Sequence, residues 1–416
     1  MRQWIYRPLA LAVFFTLIAA PISAKPDTFE QMAAEMIKTL DADTSYDGFA
    51  STTFVARPFV IKMIHAADAN TQSLEARKKR IGQLAQGIWR NWLGTRKSWE
   101  LKSTCDDTLE NPRPFVWVSF HDAASYGRYM KVFRPNSTAG SLAFYGAKTH
   151  YVYTRENPDR DPSIILIHET THQLMDRFSK VPSTGYQNYA FTEGLAEYFA
   201  GHSGEGETLK LGAFNRPRRA NQIRRFHTYY DGKQHICYPW HHRKMQITPD
   251  DWIFFDVPML LTFRDITWTK AISNAMIKHF ERSDYLDSKE GKRLTKGGQV
   301  YFHAAFYAYA WAFTHWLRDN YPKEYDRYAK IILNTDRGGD AEVFLEAFDI
   351  KPVRPLPDIV SLVGPNNRDV KKNMRKAVAC LDQRIAILRQ TPAIQEMHRK
   401  WADWMRTTFP KLDDDS

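Results

Sequence analysis

The chain has 416 residues, of which 43% are hydrophobic, 14% aromatic and 25% charged, a balance that excludes global disorder and suits either one large core or two closely packed lobes. Its 58 Lys and Arg against 47 Asp and Glu give a formal net charge of +11, which favours encounter with anionic partners without naming one. Cys105, Cys237 and Cys380 lack the close spacing of a thiolate metal site and leave room for at most one internal disulfide.

Residues 1–24 read as a leader: Arg2 and Arg7 are followed by an apolar run from Leu9 to Ala20 and the small-residue site Ile22-Ser23-Ala24. The chain is therefore expected to be exported, to a periplasm or beyond, and to stay basic once cleaved. No later stretch reaches the roughly 18 to 20 apolar residues that a membrane span requires.

Phe29, Met32, Met36, Ile37 and Leu40 recur at helical spacing and predict a short amphipathic helix. Phe59 to Ile64 reads as a strand, and Ile81, Leu84, Ile88 and Trp92 mark one face of a following helix over Leu74 to Trp92. Phe115 to Phe120, Leu142 to Tyr145 and Tyr151 to Tyr153 predict a small sheet, with Pro135, Asn136 and Gly140 breaking the chain between them. A helix is expected from Ser163, taken as its N-cap, to Phe178, and a second from about Thr192 to Phe199, stopped by Gly201. Residues 203–250, rich in Gly, Pro, Lys, Arg and His, read as a basic insertion, and the remainder is mostly helical. The fold class is α+β, mainly helical with a small mixed sheet: an N-terminal α/β region over 25–110, a central body over 111–335 and a C-terminal helical region over 336–416.

His168-Glu169-Thr170-Thr171-His172 lies within the apolar helix that starts near Ser163. Histidines four apart project from one face about a turn from each other, so both imidazoles can reach one cation. A hydrolytic zinc site needs a third protein ligand and an open position, and Glu193 in Thr192-Glu193-Gly194-Leu195-Ala196-Glu197-Tyr198 lies far enough beyond His172 for a loop and a returning helix. Glu169 stands about 100° round the helix from His168, off the ligand face and suited to general-base work.

The pair of motifs resembles the gluzincin metallopeptidases, and most closely a bacterial exported group that carries H-E-x-T-H-Q followed by E-G-x-A-E-Y-F. Thr192 stands where the family motif has Asn, which leaves the ligand itself in place. The resemblance implies a zincin-like catalytic domain, one Zn2+ held by His168, His172 and Glu193, and a peptide or protein as substrate. It also implies that Glu197 supports the ligand His168 by accepting its far-nitrogen hydrogen bond. Tyr307, with Trp311, His315, Trp316 and Leu317 at the family's offsets, becomes the expected donor to the transition-state oxyanion, with Tyr309 as the alternative. The strand around Leu142 to Tyr145 takes the place of the edge strand that pairs with substrate.

Asp176 reads as a solvated charge. Arg216, Arg218, Arg219, Arg224 and Arg225, with His235, His241 and His242, read as a solvated basic loop that faces acidic or envelope-associated partners; nucleic acid is not expected. Two other functions stay open: an inactive zincin-like envelope binding protein, and a polyanion-binding protein that uses the basic insertion.

Overall fold

The structure is a computed structural model that describes residues 28–46, 48–103, 111–133, 142–146, 148–156, 161–180, 188–228, 256–262, 306–335, 341–358 and 368–409. The leader, Cys105, Cys237, His235, His241 and His242 lie outside these residues, so the expectations placed on them do too.

The fold is α+β. Five strands form a mixed sheet in the order β1-β2-β3-β5-β4, with β1 Ala50–Ala56, β2 Phe59–His65, β3 Phe115–Phe120, β4 Ala143–Gly146 and β5 Tyr151–Arg155. β1 and β2 form an antiparallel hairpin, β2, β3 and β5 run parallel, and β4 returns antiparallel to β5 as an edge. Because β2 pairs directly with β3, the sheet runs across residue 110 as one unit.

Alternation within the strands explains why both faces of the sheet are covered. Phe59, Ile61, Met63, Phe115, Trp117 and Val152 point into the main core. Val60, Ile64, Val116, Val118, Phe120 and Tyr153 point the other way, into a smaller core closed by α1 Phe29–Ala42 and α3 Ala123–Phe133. The main face is covered by α2 Thr71–Ser98, which crosses from β2 to β3, and by α4 Pro162–Phe178. Beyond α4 come α5 Tyr189–Ala200, α6 Pro217–Thr228, α7 Val257–Thr262, α8 over 306–320, α9 Pro322–Asn334, α10 Ala341–Ala347, α11 Arg368–Gln390 and α12 Pro392–Thr408. No described helix is long and apolar enough to cross a membrane.

Three helix starts differ from the sequence expectation; α2 opens at Thr71 rather than Leu74, capped by Asn70. α4 begins at Pro162, and Asp161 rather than Ser163 is the N-cap, its carboxylate accepting from Ser163 N–H at 2.8 Å. Proline is tolerated in the first turn, where its missing N–H would have no intrahelical partner, so Pro162 opens the helix. α5 begins at Tyr189, capped by Asn188, which accepts from Phe191 N–H at 2.9 Å and donates to the carbonyls of Leu260 and Leu261. Gly201 does end α5, but with φ at −70° rather than in the left-handed region. A Cβ there would lie 2.2 Å from the Ala213 carbonyl oxygen, so close backbone approach accounts for the glycine.

Candidate metal centre

α4 is anchored to the sheet through Gln173, which is buried and donates to the carbonyls of Val116 at 3.2 Å and His150 at 2.7 Å. The residue before it is His172, so this anchor fixes the rotation of α4 and points His168 and His172 at α5. α5 in turn presents Glu193 and, one turn on, Glu197. Gly194 allows α5 to touch α8: a Cβ there would fall 2.5 Å from Thr314 Oγ1 and 2.7 Å from the Ala310 carbonyl oxygen. Tyr307 shares a face of α8 with Ala310 and Thr314, and the close contact brings its ring centroid to 6.0 Å from that of His168.

Three ligand-type atoms converge. His168 Nε2 lies 3.2 Å from His172 Nε2, His168 Nε2 lies 3.2 Å from Glu193 Oε2, and His172 Nε2 lies 3.4 Å from the same oxygen. Ligand bonds of about 2.0 to 2.1 Å at tetrahedral angles separate ligand atoms by about 3.3 Å, so this triangle has the size that one zinc ion demands. The donor set of two imidazoles and one carboxylate is that of a zinc site with a free position. The side chains are nearly enclosed, 12% exposed for His168, 13% for His172 and 10% for Glu193. Glu193 Oε2 makes no well-directed hydrogen bond although it is buried, an arrangement that a cation resolves.

Glu169 lies beside this triangle, and its Oε2 accepts from the backbone N–H of Tyr145 on β4 at 2.8 Å. Burial raises its pKa, the histidines and that N–H opposing the rise without reversing it. Burial acts to lower the pKa of His168, but the carboxylates of Glu193 and Glu197 override it and carry the pKa up to about 10. Burial acts to raise that of Glu193, and the two histidines override it, to about 2.

Glu197 Oε1 lies 3.2 Å from His168 Nδ1, on the side away from the triangle. Its remaining partners were not foreseen from the sequence. Arg216 and Arg219, expected in a solvated loop, turn inward and both bond to Glu197. Asp176 is likewise not solvated: its side chain is 8% exposed and accepts from Tyr145 Oη at 2.5 Å, with His150 Nδ1 at 2.9 Å. It ties β4 to α4 two turns beyond Glu169. Tyr309, the alternative to Tyr307, is fully buried in the main core. Arg224 and Arg225 fall on α6, and Arg218 is exposed.

Neither a protein-family model nor a curated protein matches the chain.

Proposed function

We propose that this protein is a zinc-dependent metallopeptidase of the gluzincin kind, with His168, His172 and Glu193 as metal ligands and Glu169 as general base. The observation that carries the reading is the triangle of ligand atoms with sides of 3.2, 3.2 and 3.4 Å beside the half-buried Glu169 carboxylate, which is not part of it. When bound, zinc supplies Lewis acidity that polarises an amide carbonyl and lowers the pKa of water.

The chain's own groups do the rest. Glu169, its pKa raised by burial, accepts a proton from the attacking water and returns it to the leaving amine. The Tyr145 N–H holds the Glu169 carboxylate in one orientation. Tyr307, its ring next to His168, donates to the negative charge that develops on the carbonyl oxygen. Glu197 keeps His168 turned so that Nε2 faces the other ligands. The polyanion-binding alternative loses two of its cations, since Arg216 and Arg219 are engaged with Glu197.

Metal analysis and a peptide-library digest, wild type beside Glu169→Gln, test the reading. The expected result is about one zinc per chain in both proteins, chelator-sensitive cleavage by the wild type, and a loss of at least about 10²- to 10⁴-fold in the variant. A wild type without zinc, or a variant that cleaves at the wild-type rate, would overturn it.

A further inference from the structure

The basic segment enters the site through α6. Arg216 lies just before this helix and Arg219 in its first turn, yet their side chains are only 9% and 14% exposed, against a Glu197 that is 3% exposed. Arg219 Nε donates to Glu197 Oε2 at 2.9 Å, and one of its terminal nitrogens donates to Oε1. A terminal nitrogen of Arg216 also donates to Oε2. The second terminal nitrogen of Arg219 donates to Gln222 at 2.8 Å, and its guanidinium lies 5.1 Å from the centroid of the Tyr307 ring.

Burial disfavours both guanidiniums, and a cation in the first turn of a helix opposes the helix dipole; the Glu197 carboxylate opposes both effects and, with Glu193, carries the Arg219 pKa upward. The fork of Arg219 is also turned wholly inward, toward Glu197 and Gln222, so it is not free to anchor a substrate carboxylate. What the pair does is fix Glu197, and Glu197 faces His168.

We propose that Arg216 and Arg219 are positioning residues of the metal centre, clamping Glu197 against His168 and, through Arg219, holding the Tyr307 ring beside the same histidine. The clamp rests on the metal-centre reading above. With three guanidinium N–H groups donating to its two oxygens, Glu197 is held with Oε1 3.2 Å from His168 Nδ1, and Nε2 stays directed at the other ligands. The bidentate contact needs the planar guanidinium, because an ammonium offers a single point of charge.

The test is the zinc dissociation constant, read by competition with a chromophoric chelator, together with the visible spectrum of the Co2+-loaded protein. Wild type, Arg219→Gln, Arg216→Gln, Arg219→Lys and Glu193→Gln are compared, with folding of the metal-free proteins followed by circular dichroism. The clamp predicts zinc binding weakened by about 10- to 100-fold in Arg219→Gln, with a changed cobalt spectrum and a metal-free fold like that of the wild type. Arg219→Lys keeps the buried charge and recovers part of the affinity; if Arg219→Gln does not fold, Arg219→Lys decides, and weaker binding than wild type supports the clamp. Wild-type affinity and spectrum in all the folded arginine variants, beside a Glu193→Gln protein that has lost zinc, overturn the clamp and leave the metal centre standing. Unaltered zinc binding by Glu193→Gln overturns the metal centre, and the clamp with it.

Discussion

His168 is held between two carboxylates, Glu193 on its Nε2 side and Glu197 on its Nδ1 side. In the metal-free protein they overcome the effect of burial and raise its pKa to about 10, so the ring carries both protons at neutral pH. A cation needs Nε2 deprotonated, so binding must expel a proton. The sign follows: below about 10 the proton competes, and this group alone makes zinc affinity rise by about tenfold per pH unit from neutrality upward. Glu193, lowered to about 2, is already ionised over that range and adds no slope. Calorimetric titration with zinc near pH 7, in buffers of different ionisation enthalpy, should report release of about one proton per ion bound. Release of none would show that His168 is not protonated at neutral pH in the metal-free protein.

At the scale of elements, the contact between α5 and α8 brings Tyr307 to the site, and Gly194 permits it. Gly194→Ala must push the two helices apart, because the atoms it meets are the Ala310 backbone and the short Thr314 side chain. The expected cost is about 1 to 3 kcal/mol in denaturant unfolding, with a fall in turnover larger than the fall in zinc content. Unchanged stability would mean that the helices do not meet at this glycine. The elements legible in the sequence are those with a strong local signal: β2, β3 and β5 are runs rich in aromatic and β-branched residues, and α4 carries its ligands at the helical repeat. Sequence reasoning placed the starts of α4 and α5 too late, because the capping choice between Asp161 and Ser163, or at Asn188, depends on side-chain geometry next to a proline or a distant carbonyl. The function of Gly194 was not legible, since the surface it touches lies on a helix far along the chain. Arg216 and Arg219 gave no signal either: a buried cation looks like a solvated one until its carboxylate is located. His168, Glu169, His172 and Glu193 were legible because one helical turn and one loop set their separation.

At the scale of the whole molecule, the two ligand helices share one core but are anchored in different places. α4 is tied to the sheet through Gln173, whereas α5 is tied to the helical part through Gly194 and through Asn188, which bonds to the end of α7. An ion held by both helices would join the two. Zinc at a thousandfold excess over its dissociation constant should therefore add about 4 kcal/mol of stability, and a chelator should lower the unfolding temperature by several degrees. A melting temperature that does not respond to chelator would contradict the coupling.

The hydrogen bond from Tyr145 N–H to Glu169 also bears on how the chain avoids its own copies. β4 is one of the sheet's two edges, and an edge strand invites another chain to add a strand. Glu169 stands at the acceptor position that a neighbouring strand's carbonyl would take. Glutamine at 169 keeps an acceptor there and leaves the edge closed. Alanine would open it, so Glu169→Ala is expected to self-associate at concentrations where wild type and Glu169→Gln remain monodisperse in light scattering.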